Sequence, residues 1–84
     1  MEKTADELDL HGLTVDEAIP LVDRFLYTSF QAGVRRVWVI HGKGSGILRE
    51  AVRRYLCTHT LVMTWSMADG SHGGIGATQV ELVD

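Results

Sequence analysis

The chain has 84 residues, enough for one small domain, with a net charge of −3 and hydrophobic residues making up 45%. Its single cysteine, Cys57, excludes an internal disulfide framework and a Cys-rich zinc site, and points to a reduced, cytoplasmic setting. It shows no basic-then-apolar leader and no run of about 18 apolar residues, so neither secretion nor a membrane partner is expected.

Residues 1–6 are polar and are expected to form a flexible segment ahead of a domain at 7–84. From Glu7 to His11 the pattern alternates, with Leu8 and Leu10 on one side and Asp9 and His11 on the other, which reads as a short strand ended by Gly12. Thr14 and Glu17 form a capping box ahead of Ala18, Val22, Phe25, Leu26 and Ser29 at helical spacing, and Gly33 supplies the stop. Pro20 lies inside that helix, where it lacks an N–H and crowds the carbonyl of Asp16, so a kink or a loose first turn is expected there. Arg36 to His41 is a second strand, apolar on both faces through Val37, Trp38, Val39 and Ile40. A second helix follows from about Gly46 to Thr58, with Leu48, Ala51, Val52, Tyr55 and Leu56 in one stripe. Leu61 to Met67 alternates with Leu61, Met63, Trp65 and Met67 on one side. A glycine-rich loop from Ala68 to Gly76, expected to be mobile, then leads into a last strand at Ala77 to Val83.

The order is βαβαββ, with a right-handed parallel crossover from the first strand to the second. The expected fold is therefore α/β: a two-layer sandwich of a four-stranded mixed sheet with two helices on one face.

The stretch Val37 to Gly46, VWVIHGKGSG, carries the chemistry. A buried strand running through a glycine loop into a helix N-terminus is an anion site: the loop turns N–H groups outward and the helix start adds partial positive charge. Gly42, Lys43, Gly44, Ser45 and Gly46 would cradle a phosphate, with Arg49 and Arg53 adding charge from the helix. The lysine precedes the glycines it should follow in a Walker A loop, and the third glycine comes too early for a dinucleotide fingerprint. A backbone phosphate therefore fits better than a nucleotide cofactor. Six of the eight basic residues lie between Arg35 and Arg54, opposed only by Glu50, a segment of +5 in a chain of −3. That asymmetry suggests one basic face on an acidic body, a nucleic-acid face or simply a solvated helix surface.

Asp9 and His11 share a strand face, and a carboxylate beside an imidazole can fix its tautomer, raise its pKa or share a metal with it. His11-Gly12 and His41-Gly42 both follow strands at the edge where ligands bind in open α/β sheets. If the two strands are neighbours, two imidazoles reach one phosphate and can serve as general base and general acid. Asp9, His11 and His41 are therefore the catalytic candidates. A divalent cation, Mg or Mn, could join Asp9. His72 could be a third site histidine, His59 reads as compensating a helix dipole, and Trp38, on the face away from the helices, could stack a base.

Leu8-Asp9-Leu10-His11-Gly12-Leu13, together with His41-Gly42-Lys43-Gly44-Ser45-Gly46-Ile47-Leu48-Arg49, resembles a small MutS-related (Smr) domain. The tail Gly73-Gly74-Ile75-Gly76-Ala77-Thr78 is similar to that family's ending. The resemblance implies a sandwich like the C-terminal domain of translation initiation factor three. It also implies nucleic-acid binding and, in many members, an endonuclease that nicks DNA or cuts RNA without sequence specificity. It further implies a place at the C-terminus of a longer MutS-like ATPase tied to recombination control or ribosome rescue. By position, Asp9 and His11 match the family's first motif, and His41, Gly42, Lys43 and Gly44 its second. The rival reading is a non-catalytic nucleic-acid or ribosome-docking module on the same residues; a third is a protein-interaction domain.

Overall fold

In a computed structural model, residues 6–84 are described. The elements are β1 (Glu7–Asp9), α1 (Val15–Gln31), β2 (Arg36–Ile40), α2 (Ile47–Thr58), β3 (Val62–Met67) and β4 (Ala77–Leu82). Most of the segment expected to be flexible lies outside the described residues, but the Asp6 carbonyl accepts from Trp38 N–H at 2.8 Å, so the β1 ladder begins there.

The sheet order is β1-β2-β4-β3, with β1 parallel to β2 and the other neighbours antiparallel. Both helices cover one face, as the α/β reading requires. Ala18, Val22 and Leu26 of α1 and Val52 and Leu56 of α2 share one core with Leu10, Val37, Val39, Val80 and Leu82. At 1% exposure or less, these aliphatic side chains provide the main driving force for folding.

The expected start and stop of α1 are both present. Thr14 Oγ1 accepts from Glu17 N–H, and the Glu17 carboxylate accepts from Thr14 N–H. At the other end Gly33, at φ +81°, donates to Phe30, and Val34 donates to Ser29, which closes a Schellman turn. The helix runs on through Pro20 with its first turn closed. Pro20 is exposed, so water can reach the carbonyl that its missing N–H leaves free.

Strand β3 departs from strict alternation. Val62 pairs with Leu82 but Trp65 pairs with Val80, and the register shifts between Val62 and Thr64. This bulge puts one extra residue into the strand and resets its phase. Val62 and Trp65 pack on the core, while Met63 is left 66% exposed.

His59 ties the two helices together. Its Nδ1 accepts from Leu61 N–H, so its Nε2–H donates to Asp23 Oδ1 of α1 at 2.9 Å. Tyr55 O–H donates to the same oxygen at 2.7 Å. Burial, reinforced by this bond, pushes the Tyr55 hydroxyl up to about 12. His59 is thus a clamp between helices; the dipole role expected from its position is secondary to it.

Leu26→Ala should lower stability by about 2–5 kcal/mol through the cavity it opens, against about 1 kcal/mol for loss of the Thr14 cap in Thr14→Ala. Urea midpoints of the two variants check this order.

Candidate nucleic-acid interface

Because β1 and β2 are parallel neighbours, their C-terminal ends and the helices that follow open on one edge of the sheet. Leu10 N–H donates to the Ile40 carbonyl at 2.7 Å, which carries the pairing one step past Asp9. A Cβ placed on Gly42 would lie 3.4 Å from the Cβ of His11. Between the two turns lies a cleft of about 420 Å³, lined by His11 to Val15 on one side and His41 to Arg49 on the other.

The far wall is the glycine loop and the start of α2. Gly46 is the N-cap of α2 at φ +89° and supplies no side-chain cap. The Ser45 hydroxyl accepts weakly from Ile47 N–H at 3.4 Å, and α2 lacks the reciprocal capping box that closes α1. Among the described residues, no acceptor receives the amides of Lys43, Gly44, Ser45 or Gly46. Gly42 differs: its N–H, like that of His41, donates to the Gly76 carbonyl, at 2.9 and 3.0 Å. Its amide is therefore already paired, unlike those that follow it. The Arg49 guanidinium folds back over Gly46, where an added Cβ would meet Nη2 at 2.7 Å. The left-handed backbone is what favours glycine at 46; a side chain there would also displace the Arg49 guanidinium. Lys43 is exposed, its stem lying against Gly76.

Asp9 and His11 meet as expected. His11 Nδ1–H donates to Asp9 Oδ1 at 2.8 Å, and the His11 amide donates to the same oxygen at 3.0 Å. The side-chain bond, with the carboxylate charge behind it, raises the His11 pKa above its ordinary 6.5, and the two bonds lower that of Asp9. With Nδ1 occupied, Nε2 is the nitrogen left for a ligand.

His41 is placed differently from its sequence partner. Strand parity sets it on the helix side with Val37 and Val39, and it is 5% exposed. Its ring has a bond at each nitrogen. The Gly42 carbonyl can only accept, so Nδ1–H donates to it at 3.2 Å. Nε2 then accepts from Thr78 O–H at 2.8 Å, and Thr78 Oγ1 accepts from Arg53 Nε–H at 3.2 Å. The chain Arg53–Thr78–His41–Gly42 thus has one consistent direction of donation and ends on the glycine loop. Burial, aided by the charges of Arg53 and Arg49, lowers the His41 pKa below 6.5.

The remaining candidates are dispersed. Arg53 lies outside the cleft, its guanidinium carbon 5.0 Å from the centre of the Trp65 ring and Nη2 buried. The basic segment does not form one face. Arg35 pairs with Asp84, and Arg36 with Glu81 at 2.6 Å, at the end of β2 remote from the cleft. His72 stacks on Trp38 with ring centres 4.1 Å apart and planes 3° apart, covering the indole that could have received a base. In the loop that carries His72, the Asp69 carbonyl accepts from His72 and Gly74 N–H and the Gly73 carbonyl accepts from Gly76 N–H. Among the described residues no three of His, Cys, Asp and Glu gather as metal ligands, and Asp9 with His11 is a pair.

The match to known proteins spans almost the whole chain: the family model for the Smr domain covers residues 8–83. The chain belongs to the Smr domain family. It is 46% identical over 76 residues to Endonuclease MutS2 of Pelotomaculum thermopropionicum, covering 90% of this chain but 10% of that protein. The Smr domain of Thermus thermophilus MutS2 superposes with a TM-score of 0.89 at 40% identity, covering 93% of this chain and 98% of that one. YdaL, a stand-alone small MutS-related protein from Escherichia coli, gives 0.89 at 33% identity, covering 94% of this chain and 65% of that one. This Smr domain therefore spans about a tenth of the length of its curated MutS2 relatives.

The two cleft histidines should titrate on opposite sides of 6.5, His11 above and His41 below, in an NMR pH series, with His41 as the Nδ1–H tautomer. Because the folded pKa of His41 is lowered, the unfolded chain binds the extra proton. Its contribution is then complete above 6.5 and is lost as pH falls from there through the folded value. Thr78→Val should leave His41 and Arg53 each short of a partner and cost about 1–3 kcal/mol, read by urea denaturation at pH 7.5.

Proposed function

We propose that this Smr domain binds the phosphate backbone of DNA or RNA in the cleft between the two His-Gly turns and cleaves it without sequence specificity, as the C-terminal part of a longer MutS-like protein. The observation that carries this reading is the glycine loop before α2, whose amides from Lys43 to Gly46 have no acceptor among the described residues, with Lys43 and Arg49, lining one cleft with His11 of the exposed Asp9–His11 pair. The name endonuclease carried by the MutS2 relatives supports it.

In this mechanism Lys43, the loop amides and Arg49 hold the phosphoryl oxygens and offset charge gathering there in the transition state. A water forms the new bond to phosphorus and releases a proton to solvent as the bond to the leaving oxygen breaks, and protonated His11 passes its Nε2 proton to that oxygen and regains one from solvent. Asp9 holds Nδ1 and keeps a larger share of the ring protonated at neutral pH. His41 acts from behind, as a positioning residue that sets the Gly42 carbonyl and so the loop. No step is routed through a cation.

The second reading, a binding module without cleavage that could dock on nucleic acid or ribosome, draws on the burial of His41, which leaves one imidazole free where two were expected.

A plasmid-nicking assay separates the two readings. An Asp9→Ala, His11→Ala double variant should lose about 10²- to 10⁴-fold in rate while keeping its affinity, and Asp9→Asn should move the His11-dependent limb of the pH profile down toward 6.5. Equal nicking by parent and double variant would exclude this site. Binding itself should weaken with salt, and Lys43→Ala should reduce the log–log slope by about one, measured by titrating a labelled oligonucleotide at several salt concentrations.

A further inference from the structure

A second hollow, of about 470 Å³, opens beside the phosphate cleft. The two share Val15, Ser45, Gly46, Ile47 and Arg49, so a ligand can pass from one to the other without leaving the surface. The floor of the hollow is apolar. Val15 and Ile47 are the first residues of α1 and α2, brought together by the same parallel pairing that aligns the two His-Gly turns, and Ala51 lies one turn further along α2. Arg54 and Glu50 form its outer rim.

Ile47 is the unusual residue here. It is 68% exposed, more than any other large aliphatic side chain among the described residues. It stands at the first turn of a helix, where a carboxylate would best complement the dipole. Glu50, the acidic residue of this turn, is paired with Arg49 at 3.8 Å; an unpaired carboxylate at 47 would repel a phosphate in the neighbouring cleft. Neutrality alone would be met by serine or alanine. An isoleucine instead presents a branched apolar surface within a turn of Gly46, where the anion is held.

We propose that this ledge holds one unpaired nucleobase of the strand whose phosphate occupies the cleft. The inference rests on the phosphate-site reading and extends it to a substrate class: single-stranded or locally unpaired nucleic acid is preferred over intact duplex. The chemistry is that of single-strand grooves, in which cationic groups track the backbone while apolar surface takes the face of a base. In an intact duplex the base faces are stacked on one another, so the ledge has nothing to bind and only the phosphate contacts remain. Arg54, on the rim, can lay its guanidinium beside the base or reach the next phosphate, and the hollow falls in the size range of small-molecule sites.

The test uses the 84-residue chain and one labelled 12-nucleotide DNA, offered as a single strand and as a blunt duplex, with affinity read by fluorescence anisotropy at low salt. Ile47→Ser should weaken the single strand about five- to tenfold and the duplex less than about twofold. Ile47→Trp should tighten the single strand through its larger flat surface. Met63→Ser, equally exposed on β3, should change neither. Equal losses on both substrates, or no loss with Ile47→Ser, would overturn the ledge while leaving the phosphate site standing. Failure of the parent to bind either substrate would overturn both.

Discussion

The parallel pairing of β1 with β2 is the constraint on which the site depends. An antiparallel partner would send the two His-Gly turns to opposite ends of the sheet. Parallel strands joined by a helix instead finish on one edge, and the helices that follow them begin there too. One register, with Asp9 opposite Ile40, therefore places His11 beside Gly42, sets the first residues of α1 and α2 side by side, and opens the cleft between two loops. A three-residue strand can hold that register because Leu10 runs directly on from β1 into the core at 0% exposure.

The two helix starts use the same physics for different ends. At α1 the orphan amides are closed by Thr14, and Asp16 and Glu17 sit in the first turn, so that terminus is satisfied and repels anions. At α2 the cap is a glycine without a side chain, and Ser45 Oγ accepts from Ile47 N–H at 3.4 Å. The one acidic residue of the first turn, Glu50, is paired with Arg49 at 3.8 Å, and among the described residues the amides of Lys43 to Gly46 have no acceptor. The stability that a good cap would have contributed is given up at one helix and kept at the other. Behind the open terminus, the bonds running from Arg53 through Thr78 to His41 hold the Gly42 carbonyl, and Gly76 holds the Gly42 amide. The loop is thereby fixed from inside, and its outward face is left to bind.

This division also separates the two histidines that look alike in sequence. Both precede a glycine at the end of a strand. The one beside Asp9 faces solvent with a raised pKa, ready to hold a proton near neutrality. The one in line with Val37 and Val39 faces the helices with a lowered pKa and keeps its neutral tautomer. Proton transfer suits the first and loop positioning the second. The same logic redistributes the basic residues. Arg35 and Arg36 serve ion pairs at the far end of β2, Arg53 lies across Trp65, and Lys43 with Arg49 remains at the cleft.

Local signals were legible in the chain as written. The capping box at Thr14, the stop at Gly33, the helical stripe of α2 and the two motifs at Leu8 to Leu13 and His41 to Arg49 gave the element order, the Smr family and the glycine loop proposed to bind phosphate. Each depends on neighbours a few residues apart. The orientation of His41 was partly legible too, since its parity with Val37 and Val39 already points toward the helices. Its hydrogen-bond partners were not: Thr78 lies 37 residues away, and Arg53 approaches from another element. The bulge at Met63, the stacking of His72 on Trp38 and the scattering of the arginines likewise depend on which strand lies beside which. Periodicity along one segment specifies which face a residue takes. Only the folded sheet decides what that face meets, because the meeting is fixed by register between segments that the chain brings together from far apart.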